Sequence, residues 1–167
     1  MRATGERLVT QQSNRGFIVT DILRPSELKE LFEVRFLIEV HSLETGEIAG
    51  ETIDRLEQLV EHMDTAQDGL LYKEFKDYLR DDHLFHRTIV SLANNSLLIK
   101  SWESLHVHLH LSRLYTGVGL FDRSSSAREH RHIVEALRLD NRAQAVEMLS
   151  QHILDVRNRM LDFLQTD

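Results

Sequence analysis

From Pro25 onward, apolar residues recur every three or four positions, the period of a helix with one buried face. Pro25 suits a first helical position, where a missing N–H is tolerated. Leu28, Leu31, Phe32, Arg35 and Ile38 fall on one face of the helix it opens. A break is expected around Gly46–Gly50, after which Thr52 can cap a second helix with Ile53, Leu56, Leu59, Val60 and Met63 inside and Gln67-Asp68-Gly69 at its end. A long helix is expected from about Tyr72 to Ala93, then an interruption at Asn94-Asn95-Ser96, then a helix from about Leu97 to Tyr115 and a loop over Gly117–Arg123. Ser124–Ser126 can cap a helix Ala127–Leu139. Asp140-Asn141 makes a tight turn, and a last helix runs from about Arg142 to Leu164. Residues 1–22 depart from this pattern: Gly16-Phe17-Ile18-Val19-Thr20 is β-prone, and Ser13-Asn14-Arg15-Gly16 reads as a turn before it. The sum is an all-α fold, an antiparallel bundle of six or seven helices over residues 23–167, preceded by a short β-like arm over residues 1–22.

Polar residues on the apolar stripes change this picture most, because the helical period demands apolar ones there. The stripe of the long middle helix runs Phe75, Leu79, Asp82, His86, Ile89, Ala93. Asp82 and His86 are four apart and meet on one face. His83 falls on another face, with Lys76, Arg80 and Arg87, which reads as solvated. His130 shares a face with Ile133, Val134 and Leu137, and His152 with Ala145, Leu149, Val156 and Met160. One aspartate and three histidines therefore point inward from three helices. A buried ionised aspartate is costly unless it is paired or ligates a metal, and imidazole with carboxylate is a common ligand set for zinc, nickel, iron, cobalt or manganese. Taken singly, an Asp-x-x-x-His on a helix means little, and a lone inward histidine is more often a hydrogen-bonded core residue.

Arg35 is a second anomaly, at the centre of the first helix's apolar stripe. It reads either as a salt bridge to a core acid such as Glu39 or Asp82, as a stem that snorkels outward, or as a clamp for an anionic ligand through its planar fork. On the fourth helix His106, His110 and Arg113 share one side near Trp102 and Leu109, where they could line a pocket; a solvated or dimer-facing side explains them equally well.

Composition narrows the function classes. A chain of 167 residues fits one domain and can bury roughly 70% of its unfolded surface. There is no cysteine, so thiolate metal sites and cysteine nucleophiles are excluded. A net charge of −7 argues against tight nucleic-acid binding by this chain alone. Ten histidines is a high count. No stretch approaches the roughly 20 apolar residues of a membrane span, and Met1–Ser13 lacks the apolar core of a signal peptide. A cytoplasmic protein is the default expectation.

These residues also resemble a family. Asp82-His83-Leu84-Phe85-His86 matches the D-x-x-F-H signature of the FadR-type C-terminal effector (FCD) domain of GntR-family bacterial transcription regulators. Asn95-Ser96-Leu97-Leu98 looks like the family's G-N-x-L-L segment, with Asn94 in place of the glycine. Glu129-His130-Arg131 and Ala143 through His152-Ile153 look like its E-H-R and A-x(n)-H-I segments, and Arg35-Phe36-Leu37-Ile38-Glu39 is similar to R-x-x-L-E, with Ile38 in the leucine place. The resemblance covers about residues 24–165. It implies that Asp82, His86, His130 and His152 ligate a divalent metal, zinc first, with nickel, manganese, iron or cobalt as alternatives. It also implies that Arg35 meets the carboxylate of a small organic acid and that the domain forms homodimers. We count Arg35, Asn95, His106, His110 and Arg113 as candidate ligand-binding residues. His41 and Ser42 depart from the family's usual alanines. Residues 7–22 resemble the tail of the family's winged-helix DNA-binding domain, with Arg7-Leu8-Val9 like the end of its recognition region and Asn14 to Val19 like the wing strand. The preceding helix-turn-helix is missing, so the chain reads as a fragment that senses an effector and would reach DNA only through that domain.

Two rival readings stand beside this one. A three-histidine, one-carboxylate metal with open positions could activate water for hydrolysis, but no distinct inward general base is evident, since Glu129 and Asp81 fall on other faces. A metal-free helical interaction module would need only hydrogen-bonded inward histidines. We expect no enzyme.

Overall fold

The computed structural model describes residues 9–12, 16–19, 23–65, 72–116 and 123–165. Strands β1 (Val9–Gln12) and β2 (Gly16–Val19) pair antiparallel, with Val9 opposite Val19 and Gln12 opposite Gly16. Six helices follow among the described residues: α1 (Pro25–Thr45), α2 (Gly50–Thr65), α3 (Tyr72–Ser91), α4 (Ser96–Thr116), α5 (Arg123–Arg138) and α6 (Arg142–Gln165). The expected Ser13–Arg15 turn, the Gln67–Gly69 helix end and the loop over residues 117–122 lie outside the described residues.

Local chemistry sets the boundaries. Pro25 opens α1, and the Glu27 carboxylate accepts the backbone N–H of Arg24 at 2.9 Å. Thr52 does not cap α2: the helix begins at Gly50, and the Ala49 carbonyl accepts the N–H groups of Thr52 and Ile53. Asn94 ends the turn after α3 at φ 48°, a left-handed conformation that asparagine tolerates better than most residues. It thus satisfies the backbone need that the family's glycine would meet. Asn95 then caps α4, its Oδ1 accepting the N–H groups of Leu97 and Leu98 at 3.0 and 3.3 Å. Asp140, at φ 54°, makes the three-residue reversal between α5 and α6.

The helices pack by burying the stripes that the sequence marks. α1 lies against α3, α4 and α6; α2 lies against α3 and α5; α5 and α6 lie against each other. Leu28, Phe32 and Leu43 of α1 join Leu56 and Leu59 of α2, Leu79 and Ile89 of α3, Ile133 of α5, and Leu149, Ile153 and Val156 of α6 in one buried cluster. A smaller cluster, Ile38, Val90 and Trp102, ties α1, α3 and α4 together. Gly46 permits the close approach of the α1 end to the α3 end, since a Cβ there would lie 2.5 Å from the Leu92 carbonyl carbon. No described helix is long and apolar enough to cross a membrane. The bundle's centre is not apolar throughout: Arg35, Glu39, Asp82, His86, His130 and His152 are all at most 1% exposed.

Candidate metal centre

α3, α5 and α6 each deliver one imidazole to the same point. The Nε2 atoms of His86, His130 and His152 form a triangle with edges of 3.1, 3.2 and 3.3 Å. Asp82, one turn before His86, places Oδ1 3.8 Å from both the His86 and His130 nitrogens. That oxygen is buried and has no hydrogen-bond partner. Asp82 Oδ2 instead accepts from the Arg113 guanidinium at 2.6 Å.

The far side of each ring shows why the nitrogens converge. Glu39 Oε2 lies 2.7 Å from His86 Nδ1, and Glu129 Oε2 lies 2.7 Å from His152 Nδ1. A carboxylate can only accept, so each Nδ1 carries the proton and each Nε2 presents a lone pair. Two such lone pairs face each other across 3.3 Å. That contact is repulsive unless a proton or a cation lies between them. The edges of the triangle put each nitrogen about 1.9 Å from its centre, close to a zinc–nitrogen bond of about 2.0–2.1 Å. The orphaned Asp82 oxygen supplies an anionic fourth donor. The residues present therefore fit a divalent ion, and carboxylates that fix the ligand rings are the usual surroundings of such an ion.

Glu39 joins three helices. Its Oε1 accepts from Arg35 Nε at 2.5 Å and from Trp102 Nε1 at 2.7 Å, while Oε2 takes His86. Arg35 keeps both terminal amino groups buried without a partner. Of its possible partners Glu39 takes the Nε–H, and the two amino nitrogens are left over. Glu129 is held from outside by Arg159, which donates to its two oxygens at 2.9 and 3.0 Å. Glu129 thus turns toward His152, not away as the helix face suggested. Periodicity missed it because a side chain flanking a stripe can still reach a neighbouring helix. The signal available was its place directly before His130.

The candidate ligand-binding residues divide. Arg35 and Arg113 join the buried cluster. His106 is buried, stacks on Trp102 at 4.7 Å between ring centroids, and leaves Nδ1 without a partner. His110 is half-buried on the same helix. Asn95 is exposed, and its oxygen is taken by the α4 cap. His83 does not lie on a solvated face: it is half-buried, 4.3 Å from the His106 ring and 5.2 Å from Trp102. Ser42 is buried and bonds the Ile38 carbonyl at 2.7 Å, whereas His41 is exposed.

Burial and charge act on these groups in opposite directions. Burial alone would raise Asp82 and Glu39, but Arg113 beside the first and Arg35 beside the second hold both well below the usual carboxylate range. Burial would likewise raise Glu129, which its bonds to His152 and Arg159 bring down to about 2. Burial pushes His86 down to about 4 and His106 down to about 2, and drives His130 well below its ordinary value. These histidines are neutral in the fold at neutral pH, as metal ligation requires.

The same shifts predict acid sensitivity. In the unfolded chain a histidine takes its proton near pH 6.5; in the fold His86 and His106 take theirs only near 4 and 2. Between those values the unfolded chain binds more protons, so stability falls as pH falls. For the chelator-treated protein, His86 and His106 should each remove about 1 kcal/mol between pH 7 and 5.5. Urea unfolding across that range checks this; a flat profile would contradict it.

Residues 30–155 match the sequence family described as the FCD domain. The chain is 25% identical over 150 residues to the HTH-type transcriptional regulator YdhC of Bacillus subtilis, covering 88% of this chain and 63% of that protein. It therefore spans less than two thirds of that relative's length. Its fold is similar to a solved metal-free FCD domain, with a TM-score of 0.67 at 21% identity over 88% of this chain and 100% of that one. It is also similar to a GntR regulator structure from Rhodococcus sp. RHA1, with a TM-score of 0.75 at 20% identity over 96% of this chain and 75% of that one.

Proposed function

The chain belongs to the FCD domain family, and on that premise we propose that it is the effector-sensing domain of a bacterial transcription regulator, holding a divalent metal and a small organic acid inside its helix bundle. One observation carries the metal reading: three buried histidine Nε2 atoms within 3.3 Å of one another, two of them fixed as lone-pair donors by carboxylates behind. Asp82, His86, His130 and His152 are the ligands, with zinc the first candidate. Three imidazoles and one carboxylate fill a tetrahedral zinc, so an anionic oxygen would join as a fifth ligand, by the coordination expansion that zinc allows.

The protein's own groups prepare the rest of that site. Arg35 is pinned through Nε by Glu39 and presents two buried, unpaired amino groups, the donor pair that a carboxylate matches. His106 adds one buried ring nitrogen without a partner. Arg113 holds Asp82 in place, so its role is to position that ligand. Asn95 serves the fold of α4. Because Glu39 bonds Arg35, His86 and Trp102 together, an acid that engages Arg35 bears on α1, α3 and α4 at once. In an intact dimeric regulator, binding that favours one helix arrangement would bias the DNA-binding domains.

Hydrolysis is the weaker reading. A general base needs an oxygen free to take a proton from water. Glu39 and Glu129 each use their oxygens on arginine and histidine donors. The relatives matched are described as transcriptional regulators.

A thermal-shift screen of short carboxylic acids on the zinc-loaded protein tests the sensing role. A binding acid at about 100 times its Kd should add about 3 kcal/mol of stability, and Arg35→Lys should remove most of that gain. Equal shifts in wild type and variant would reject the role given to Arg35.

A further inference from the structure

Three rings meet at the centre, but only two of them have their protons placed from behind. Glu39 accepts from His86 Nδ1 and Glu129 from His152 Nδ1, both at 2.7 Å. His130 has no such acceptor: among the described residues its Nδ1 is buried without a hydrogen-bond partner, and its ring lies against Phe85 at 4.4 Å between centroids. A neutral imidazole carries one proton, on either nitrogen. Packing therefore settles the tautomers of His86 and His152 and leaves that of His130 open.

The two choices are not equal. With its proton on Nδ1, His130 buries a donor that meets no acceptor, which is costly, and three lone pairs converge within 3.3 Å of one another. With its proton on Nε2, it donates into the triangle, toward the lone pairs of His86 at 3.1 Å and His152 at 3.2 Å. One N–H can be shared between two acceptors, and both separations are ordinary hydrogen-bond lengths. Only the Nδ1 lone pair then goes unmatched. A divalent ion reverses the preference, because it needs the Nε2 lone pair of His130 as well. Resting on the metal reading above, we propose that His130 is a tautomeric switch: without metal its Nε2–H holds the His86 and His152 nitrogens together, and on metal binding that proton leaves for solvent while another is taken up at Nδ1. The charge and proton count of the ring are unchanged. Hydrogen bonds thereby close the centre when no ion is held, and α3, α5 and α6 stay joined in both states. The cost of the unmatched Nδ1–H falls on the metal-bound state alone, which makes the metal exchangeable.

Nitrogen NMR of the isotope-labelled chain reads each tautomer, because protonated and unprotonated ring nitrogens differ widely in chemical shift. The ring signals are assigned sequentially from the backbone, so no variant is needed. In chelator-treated protein at neutral pH, His86 and His152 should carry their protons on Nδ1 and His130 on Nε2. One equivalent of zinc should move the His130 proton to Nδ1 and leave the other two in place. Calorimetric titration with zinc in two buffers of different ionisation enthalpy should show close to no proton released per zinc bound. His130 protonated on Nδ1 before zinc is added overturns the switch and leaves the metal reading intact. Release of about one proton per zinc also overturns it, since the centre would then hold an extra proton rather than a movable one. Failure to bind zinc overturns the metal reading and the switch with it, and is told apart because the His130 tautomer is read before any zinc is added.

Discussion

His130→Ala is expected to lower zinc affinity by more than about two orders of magnitude. Loss of a group that merely orients a ligand costs about 10–100-fold, and His130 would itself be a ligand. Its Nε2 lies at 3.1 Å from His86 and 3.2 Å from His152, at the apex of the triangle. Removing it leaves two imidazoles and Asp82, and among the described residues no fourth histidine joins the cluster. Zinc should then no longer stabilise the fold. At 100 times its Kd, zinc adds about 3 kcal/mol to the wild type; in the variant that gain should vanish. The metal-free variant should stay folded, because most of the core around Phe85 and Ile133 is unaltered. Competition with a chromophoric chelator, beside urea unfolding with and without zinc, measures both effects. Zinc stabilisation that survives the substitution would remove His130 from the ligand set.

Glu39→Gln is expected to have the largest effect on the fold itself. The carboxylate is fully buried and accepts from Arg35, Trp102 and His86. Glutamine keeps the shape but loses the charge, leaving the Arg35 guanidinium buried beside a neutral amide. Breaking a buried ion pair from one side costs about 3–5 kcal/mol. Glutamine has one oxygen where Glu39 uses two, so it cannot accept from His86 while also serving Arg35 and Trp102 as before. Zinc affinity should fall about 10–100-fold as His86 loses its fixed tautomer. Trp102 is the sole tryptophan, so its emission reports on the site directly. A shift in emission together with the affinity loss is expected. Unchanged stability and zinc affinity would show that Glu39 is not the joint between these helices.

The sequence made the core legible where one period governed one helix. Leu79, Asp82, His86 and Ile89 are all buried as their spacing requires, and the inward placement of His130 and His152 follows from the same rule. Helical period does not show which neighbouring helix a flanking side chain meets. That is why spacing alone turns Glu129, half-buried beside His130, elsewhere, and why it marks His83 as solvated although α4 brings Trp102 and His106 over it. Glu39 was visible as a partner for Arg35 through its four-residue spacing. Its bonds to His86 and Trp102 span 47 and 63 residues and belong to packing alone. Asn95 shows the converse: a motif position that reads as a ligand contact meets a local backbone need at a helix start.

The most direct test of the metal centre is metal analysis after loading with one equivalent of zinc and exhaustive dialysis, on the wild type beside Asp82→Ala and His152→Ala. The arrangement of Asp82, His86, His130 and His152 predicts close to one zinc per chain in the wild type and little in either variant. No retained zinc in the wild type, or equal retention in all three proteins, would contradict it.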